Sequence, residues 1–381
     1  MLNAPVELTL ARVGVTEILP SYCSRLRDGM EIVMKKRLAI VGYGGQGAWH
    51  AEHALKSDVV ELAGIRDIAE RRENAARERG IHVYPTLEAV CQDPTVDIVL
   101  CATPNDVHKD IVIEALRAGK HVICEKPVAL SVGDFDDMVK AAEEQGRLLT
   151  VHQNRRWDVD YLAMQSLVDS GEIGEVISVE SRIHGSRGIP SDWRCHKEPG
   201  GGMILDWGVH LIDQMLRLIP ERVTEIYCRT TNITTDEVDD GFHLHLGFES
   251  GKSATVEVGT YNFIAMPRFY MQAKNGSAFI EDWRKNCKVA RLKAWCEKDV
   301  LPVQTAAGIT KTMAPRDELT IDSYELERPV SDVHDFYRNF TAAVDGVCEQ
   351  TVKNCEVRRV LLVMEGCFRS AEEHKVLSVD I

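Results

Sequence analysis

The stretch "VGYGGQG", residues 41–47, constrains the fold more than any other part of the chain. It contains the pattern Gly-x-Gly-x-x-Gly, formed by Gly42, Gly44 and Gly47. The pattern alone is weak evidence, because glycine is common and any turn with positive φ favours it. It indicates a dinucleotide site only where a strand precedes it, a helix follows it and an acidic residue comes about 20 residues later.

All three accompanying features are present. The apolar run "KKRLAIVG" before the turn is typical of a buried parallel strand, and "QGAWHAEHALKS" after it has helical spacing of apolar residues. A second strand, "VVELAGIRD", ends at Asp67, 20 residues after Gly47. We expect this acid to accept hydrogen bonds from the adenosine ribose and the helix N-terminus to hold the pyrophosphate. The predicted cradle consists of Gly42, Gly44, Gly45, Gln46 and Gly47.

Charge and cysteine content restrict the possible partners. The formal net charge of −14 makes nucleic acid an unexpected partner, because a phosphate backbone would be repelled. No segment approaches the ~20 consecutive apolar residues that span a bilayer. The eleven cysteines are scattered, without zinc-binding spacing, and the first residues have no secretory signal pattern. We therefore expect a cytoplasmic protein with no metal site and no membrane contact.

The order of elements divides the chain into two domains. Strand and helix patterns alternate through residues 34–154, which predicts an α/β Rossmann domain with a parallel sheet. Residues 1–33 form an N-terminal extension, in which "VELTLARVGV" could be a strand; a frayed tail and an ordered arm against a neighbouring subunit both remain open.

Residues 155–381 have a different sequence pattern. Long alternating runs such as "GEVISVESRIH" and "GFHLHLGFES" predict an α+β domain with a large, mostly antiparallel sheet, expected to bind the substrate. In "HLHLGF" and "ATVEVGTY" apolar residues occur at positions that lie on both faces of a strand, which suggests that the second face of this sheet is also covered. We therefore expect a homo-oligomer, a dimer or tetramer, formed through these outer faces.

Two segments carry residues suited to acid–base chemistry. Lys126 in "CEKP" ends a predicted strand of the first domain, at the sheet edge where ligands bind in open parallel sheets. In the second domain, "GGGMILDWGVHLID" has Asp206 and His210 four residues apart, so both should lie on one helix face. A carboxylate beside an imidazole can orient the ring and raise its basicity. A helix-surface ion pair and an ordinary solvated lysine are the structural alternatives.

These motifs resemble the glucose-fructose oxidoreductase, inositol dehydrogenase and MocA family. The segments "GYGGQG", "ATPNDVH", "AGKHVICEKP" and "GGGMILDWGVH" occur in its order and spacing, and the resemblance is strong from Lys35 to about Leu218. It implies a nicotinamide domain, a sheet-rich substrate domain and a catalytic group of Lys126, Asp206 and His210. It also implies further cofactor contacts by Ala102, Thr103, Pro104, Asn105, His108, Glu125, Lys126, Trp193 and Arg194. Substrate contacts are implied for Lys126, Arg156, Trp157, Asp206 and His210.

The expected reaction is oxidation of a secondary ring hydroxyl of a sugar, inositol-like cyclitol or glycoside. His210 would take the hydroxyl proton, Asp206 would orient it, and Lys126 would stabilise the alkoxide charge. NAD is preferred over NADP, because Asp67 would repel a 2′-phosphate. Two alternatives stay open: a glycoside 3-oxidase that prepares β-elimination of the aglycone, and a non-catalytic dinucleotide sensor, which would be expected to have lost Lys126 or His210.

Overall fold

The first domain is built on a parallel sheet, and the computed structural model describes residues 34–294 and 300–381. Its strand order is β2-β1-β3-β4-β5. The strands are β1 (Lys36–Val41), β2 (Val60–Arg66), β3 (Ile98–Cys101), β4 (His121–Cys124) and β5 (Leu149–Val151). All pairings are parallel, and β3 is wholly buried. Residues 1–33, for which the sequence left a strand, a frayed tail or an ordered arm open, lie outside the described residues.

Helices connect these strands. They are α1 (Gly45–Ala54), α2 (Glu70–Glu78), α3 (Leu87–Gln92), α4 (His108–Arg117) and α5 (Val132–Gln145). The sequence sets their ends locally. The Ser131 hydroxyl accepts a hydrogen bond from the Asp134 N–H at the start of α5, and Gly146 ends it in the left-handed conformation, φ 58°. This strand–helix alternation confirms the Rossmann class inferred from the sequence.

The second domain is a large mixed sheet in the order β15-β12-β11-β10-β6-β9-β8-β7-β16. Adjacent strands are antiparallel except for β6 and β9. The strands are β6 (Val176–His184), β7 (Val223–Thr231), β8 (Gly241–Phe248), β9 (Ser253–Gly259), β10 (Phe269–Ala273), β11 (Gly276–Ile280), β12 (Lys288–Leu292), β15 (Ile321–Glu325) and β16 (Leu377–Ser378). A separate hairpin joins β13 (Val303–Thr305) to β14 (Gly308–Thr310). The mostly antiparallel sheet is confirmed.

One face of this sheet is covered by helices. The second-domain helices are α6 (Val159–Ser170), α7 (Val209–Leu218), α8 (His334–Val344) and α9 (Asn354–Glu373). The inward residues Leu244, Leu246 and Val256 are at most 1% exposed. The opposite face carries His243 and His245, which are exposed. The expectation that both faces of these strands carry apolar residues is therefore wrong, because the outward positions are polar.

The last two helices return to the first domain. Glu365 Oε1 of α9 accepts a hydrogen bond of 2.8 Å from the backbone N–H of Val132, and Tyr337 of α8 hydrogen bonds His50 of α1. These contacts fix the two sheets relative to each other and set the cleft between them. Along the described ranges, no helix combines the length and apolarity needed to cross a membrane.

Candidate active site at the domain cleft

The glycine turn has the geometry of a phosphate cradle. Gly42 has φ 94°, and a Cβ atom there would lie 2.5 Å from the Ala102 carbonyl oxygen, so only glycine fits. A Cβ on Gly47 would overlap the Gly42 carbonyl oxygen, whereas one on Gly45 would meet no atom within 4 Å. Helix α1 begins here without a side-chain cap or an acidic first-turn residue. Its first N–H groups can therefore hold a pyrophosphate.

Asp67 directly follows β2, and its carboxylate is held by backbone N–H groups. Oδ2 accepts a hydrogen bond of 2.6 Å from the Tyr43 N–H, and Oδ1 accepts one of 2.8 Å from the Ala69 N–H. Arg72 Nη1 lies 3.3 Å from Oδ2, and its guanidinium also lies beside Gly44. The carboxylate fits the ribose of an adenine dinucleotide, while Arg72 supplies a cation at the same place. The glycine turn and this acid together fit the dinucleotide that the sequence predicts.

The loop after β3 braces the cleft. His108 places Nδ1 3.1 Å from the Pro127 carbonyl and Nε2 3.0 Å from the Thr103 carbonyl, so its ring links this loop to the turn after β4. Asn105 Nδ2 donates a hydrogen bond of 3.1 Å to the Gly200 carbonyl. Both His108 ring nitrogens and Asn105 Nδ2 thus have protein partners, and these contacts brace the loop. Ala102, Thr103 and the exposed Pro104 directly precede Asn105 in the chain.

Lys126 contacts Asp206 across the cleft. Its Nζ donates to Asp206 Oδ1 at 2.8 Å and to the Asp206 carbonyl at 3.0 Å. Arg194 Nε donates to the other carboxylate oxygen at 3.1 Å, and its guanidinium lies 4.7 Å from the centre of the Trp193 ring. Burial raises the pKa of Asp206, but the two cations outweigh burial and hold that pKa below its usual range. The carboxylate is therefore ionised and fixes the Lys126 ammonium in the cleft.

His210 is buried next to this pair. Its Nδ1 lies 3.1 Å from Gln153 Oε1, and Gln153 Nε2 donates in turn to the Val209 carbonyl at 3.4 Å. This chain fixes the amide orientation, so Nδ1 carries the proton and Nε2 has the free lone pair. Burial, together with the charges of Lys126 and Arg155, holds the pKa of His210 well below its ordinary value. The ring is therefore neutral and can accept a proton at Nε2.

The expected contact between Asp206 and His210 is replaced by a different arrangement. Residues Ile204–Gly208 form a π-helical turn, and α7 begins only at Val209. The Asp206 carboxylate faces the two cations instead of the imidazole, because full positive charges attract it more strongly than a neutral ring. Gln153 takes the orienting position beside His210. A glutamine two residues after the end of β5 gave no sequence signal for this role.

Glu125 differs from its expected role as a cofactor ligand. Its Oε1 lies 2.7 Å from His50 Nε2 and 2.8 Å from His152 Nδ1, and its Oε2 accepts a hydrogen bond of 3.0 Å from the Lys126 N–H. Burial raises the pKa of this carboxyl, but the two histidines outweigh burial and hold the pKa well below normal. The buried carboxylate therefore braces the backbone of Lys126 from inside the domain.

The arginine expected to contact substrate is part of the interior. Arg156 is 4% exposed, its Nε donates to Asp213 at 2.7 Å, and its Nη1 donates to Glu356 at 2.6 Å. Trp157 packs on Phe336 with ring centres 5.7 Å apart. Both are structural residues, because the 3₁₀ turn Asn154–Trp157 directs them away from the cleft. The preceding residue, Arg155, is the one beside the site.

Two buried clusters qualify the expectation that metal ligands are absent. Ligand-type atoms lie within 4.8 Å of one another in the group His50, Glu125 and His152 and in the group Cys101, His108 and Cys124. Spacing along the chain did not reveal them, because the fold assembles them from separate strands and helices. The contacts of 2.7 and 2.8 Å at Glu125 are those of hydrogen bonds. That the chain uses no metal remains a prediction.

The arrangement around the cleft is typical of nicotinamide-dependent oxidoreductases. It combines a glycine turn on a parallel sheet, an acid directly after β2 and a Lys–Asp–His group across the cleft. The profile of the oxidoreductase family with an NAD-binding Rossmann fold matches residues 36–153, and that of the GFO/IDH/MocA C-terminal domain matches residues 161–279. The chain belongs to the GFO/IDH/MocA family.

Individual relatives agree with this membership. An uncharacterized oxidoreductase of Schizosaccharomyces pombe is 37% identical over 44% of this chain and 47% of its own length. The scyllo-inositol 2-dehydrogenase (NADP(+)) of Bacillus subtilis is 31% identical over 66% of this chain and 70% of its own. The crystal structure of an NAD-binding protein from Listeria innocua is 41% identical, with a TM-score of 0.87 over 91% of this chain and 99% of that one. The chain spans about half the length of the first curated relative.

Proposed function

We propose that the protein is an NAD-dependent dehydrogenase that oxidises a secondary ring hydroxyl of a sugar, cyclitol or glycoside to a ketone. The observation that carries this proposal is the group formed by Lys126, Asp206 and His210. It combines a fixed cation with a neutral imidazole that has a free Nε2. The group lies at the edge of the parallel sheet that carries the glycine turn. An inositol dehydrogenase among the relatives supports the substrate class.

Each residue of the group has a distinct task in this reaction. Lys126 Nζ hydrogen bonds the reacting oxygen and lowers the cost of negative charge on it. His210 Nε2 accepts the hydroxyl proton, and Gln153 keeps the ring in the accepting tautomer. Asp206 positions the ammonium and balances its charge. The low pKa of His210 makes it a weak base, so the acidification of the hydroxyl by Lys126 is required.

The cofactor would lie along the first domain. The α1 N-terminus and the glycine turn would hold the pyrophosphate, Asp67 the adenosine ribose, and Trp193 with Arg194 would border the nicotinamide end. The nicotinamide ring supplies the hydride-accepting chemistry when the dinucleotide is bound. Asp67 favours NAD because its carboxylate would repel a 2′-phosphate, although Arg72 partly offsets this charge.

A glycoside 3-oxidase is the second candidate. It would use the same residues, and its ketone product would acidify the neighbouring carbon and prepare elimination of the aglycone. The exposed aromatic residue Trp283 near the site favours a substrate with more than one ring. Product analysis distinguishes the two candidates, because only oxidation of a glycoside at carbon 3 prepares release of the aglycone.

The test is a turnover assay with inositols, free hexoses and glycosides, following reduced-nicotinamide absorbance and identifying the products. We expect Lys126→Met and His210→Ala to lower turnover roughly 100-fold or more with little change in the dissociation constant of NAD. Asp206→Asn should be milder than Asp206→Ala, because the amide keeps the shape and one acceptor.

Lys252→Met is the matched control for Lys126→Met. Lys252 has a similar side-chain exposure, 19% against 18%, and also pairs with carboxylates, but it lies outside the cleft. Normal turnover by folded His210→Ala would refute the mechanism. A reduced melting temperature with unchanged turnover per folded molecule would show that the Lys126–Asp206 pair is only structural.

We also propose that the protein is a homo-oligomer, a dimer or tetramer, formed through the outer face of the second-domain sheet. That face carries ion pairs among Arg182, Glu180 and Glu257, so the contact would be more polar than the sequence suggested. Light scattering should give a mass well above the 42.7 kDa of one chain. A mass equal to one chain at micromolar concentration would contradict this proposal.

A further inference from the structure

Two tryptophans form an aromatic surface that begins at the candidate catalytic group. Trp207 directly follows Asp206, and its ring centre lies 6.2 Å from that of His210. The ring centre of Trp283, in the turn after β11, lies 6.1 Å from that of Trp207, and the two planes are inclined at 37°. Trp207 is half-buried, whereas Trp283 is 46% exposed. The surface therefore leads from the site outward to solvent.

The turn that carries Trp283 is held in place by the fold. Arg328 Nη2 donates a hydrogen bond of 2.8 Å to the Trp283 carbonyl, and Arg328 Nη1 donates one of 3.0 Å to the Arg284 carbonyl. Asp282 Oδ1 accepts a hydrogen bond of 2.8 Å from the Arg284 N–H. An indole on a fixed turn is presented with little loss of conformational freedom on binding, and this is a property of binding surfaces.

A second apolar segment lies at the same end of the sheet. The loop between β9 and β10 exposes Phe263 by 75% and Ile264 by 87%. Its last residue, Arg268, donates a backbone hydrogen bond of 3.1 Å to the Glu281 carbonyl, at the start of the Trp283 turn. Exposed large apolar side chains grouped at one end of a sheet indicate a surface that another molecule covers.

A cation completes this surface. The Arg155 guanidinium lies 4.1 Å from the centre of the Trp207 ring. Among the hydrogen bonds of the described residues, its side chain uses Nη1, which donates to Asp158 at 2.9 Å. Nε and Nη2 remain available to donate to hydroxyl or ether oxygens. Aromatic faces beside a few oriented donors are typical of sites for small polar molecules with apolar ring faces.

We propose that Trp207, Trp283 and Arg155 form a subsite for the second ring of a glycoside, an aromatic aglycone or a further sugar. This assignment rests on the proposed function, in which the first ring occupies the Lys126–Asp206–His210 group. The second ring would cover the Trp283 indole, and its linking oxygen would accept a hydrogen bond from Arg155. The continuity of this surface with the catalytic group favours a substrate ring over a protein partner.

The experiment compares free sugars with their phenyl glycosides. D-glucose, D-galactose, D-mannose and D-xylose, each with its phenyl β-glycoside, are tested for binding to the NADH-loaded protein by calorimetry and for turnover with NAD. At least one phenyl glycoside should bind about tenfold or more tightly than its parent sugar, the order expected for burying an aromatic ring against indole. Trp283→Ala should remove most of this ratio, and Trp283→Phe should keep part of it.

Phe368→Ala is the control, because Phe368 is a similarly exposed aromatic residue, 39%, on the remote helix α9. It should leave the ratio unchanged. The subsite is overturned if no phenyl glycoside binds more tightly than its parent, if the advantage survives in Trp283→Ala, or if Trp283→Ala changes only self-association, which would mean that a second copy covers the indole.

Measurements of turnover distinguish a failure of the proposed subsite from a failure of the proposed dehydrogenase activity. Oxidation of free sugars without a phenyl advantage would remove the subsite and leave the dehydrogenase. A phenyl advantage that depends on Trp283, without oxidation of any compound, would support the subsite and refute the dehydrogenase.

Discussion

Replacing His50 by glutamine should weaken the acid sensitivity of the fold. His50 is wholly buried between Tyr337 of α8 and Glu125, with His152 and His53 nearby. Burial, followed by the charge of His152, lowers its pKa to about 4, although Glu125 acts in the opposite direction. The unfolded chain binds the proton near pH 6.5, and the folded chain does so only near pH 4. His50 therefore favours unfolding as the pH falls between these values.

The magnitude follows from this difference in pKa. The stabilisation is fully present above about pH 6.5 and is lost as the pH falls towards 4, reaching roughly 3 kcal/mol. Between pH 7.5 and pH 5 the loss from His50 alone is about 2 kcal/mol by the same linkage relation. Glutamine keeps a hydrogen-bond donor for Glu125 but does not titrate. The variant should therefore lose about 2 kcal/mol less than the wild type over this interval.

Urea unfolding at pH 7.5 and 5.0, followed by tryptophan fluorescence and circular dichroism, measures these free energies. The control is His374→Asn, since His374 is exposed at the end of α9 with φ 53°, a conformation that asparagine tolerates. This control should lose as much stability as the wild type. An equal loss in His50→Gln would refute the assignment of a buried neutral imidazole at this position.

Three further predictions follow from the site. Gln153→Leu should lower kcat/KM roughly tenfold with a small change in melting temperature, because His210 then loses its tautomer-fixing partner. Gln153→Glu, which keeps an acceptor oxygen, should retain more activity than Gln153→Leu, and equal losses in both variants would contradict this role. Arg156→Met should destabilise the fold by about 3–5 kcal/mol, since it leaves Asp213 buried without its partner, while the dissociation constant of NAD measured on folded protein stays unchanged. Catalytic efficiency should be higher with NAD than with NADP, and a preference for NADP would show that Arg72 dominates over Asp67 at the ribose.

The sequence predicts best what depends on local patterns. The glycine turn, Asp67 and the alternation of strands and helices identify the first domain, because tight backbone approaches leave few residue choices. The position of Lys126 at the sheet edge follows from its place at the end of a strand. These features depend on short stretches of chain and on one regular topology.

Contacts between distant segments could not be predicted in this way. Arg155 and Arg156 are adjacent and chemically identical, and only the 3₁₀ turn decides which one faces the cleft. Helical spacing suggested that Asp206 faces His210, but the π-helical turn and two nearby cations give the carboxylate other partners. Gln153 lies 57 residues before His210, so no local pattern connects them.

The candidate catalytic group is divided between the two domains. Lys126 and Gln153 belong to the first, and Asp206 and His210 belong to the second. The Lys126–Asp206 and Gln153–His210 contacts both cross the domain boundary, so the ammonium is positioned and the imidazole is oriented only while the two domains are docked. The covalent continuity of the chain through residue 154 keeps the two half-sites at a high effective concentration, and each domain alone is chemically incomplete.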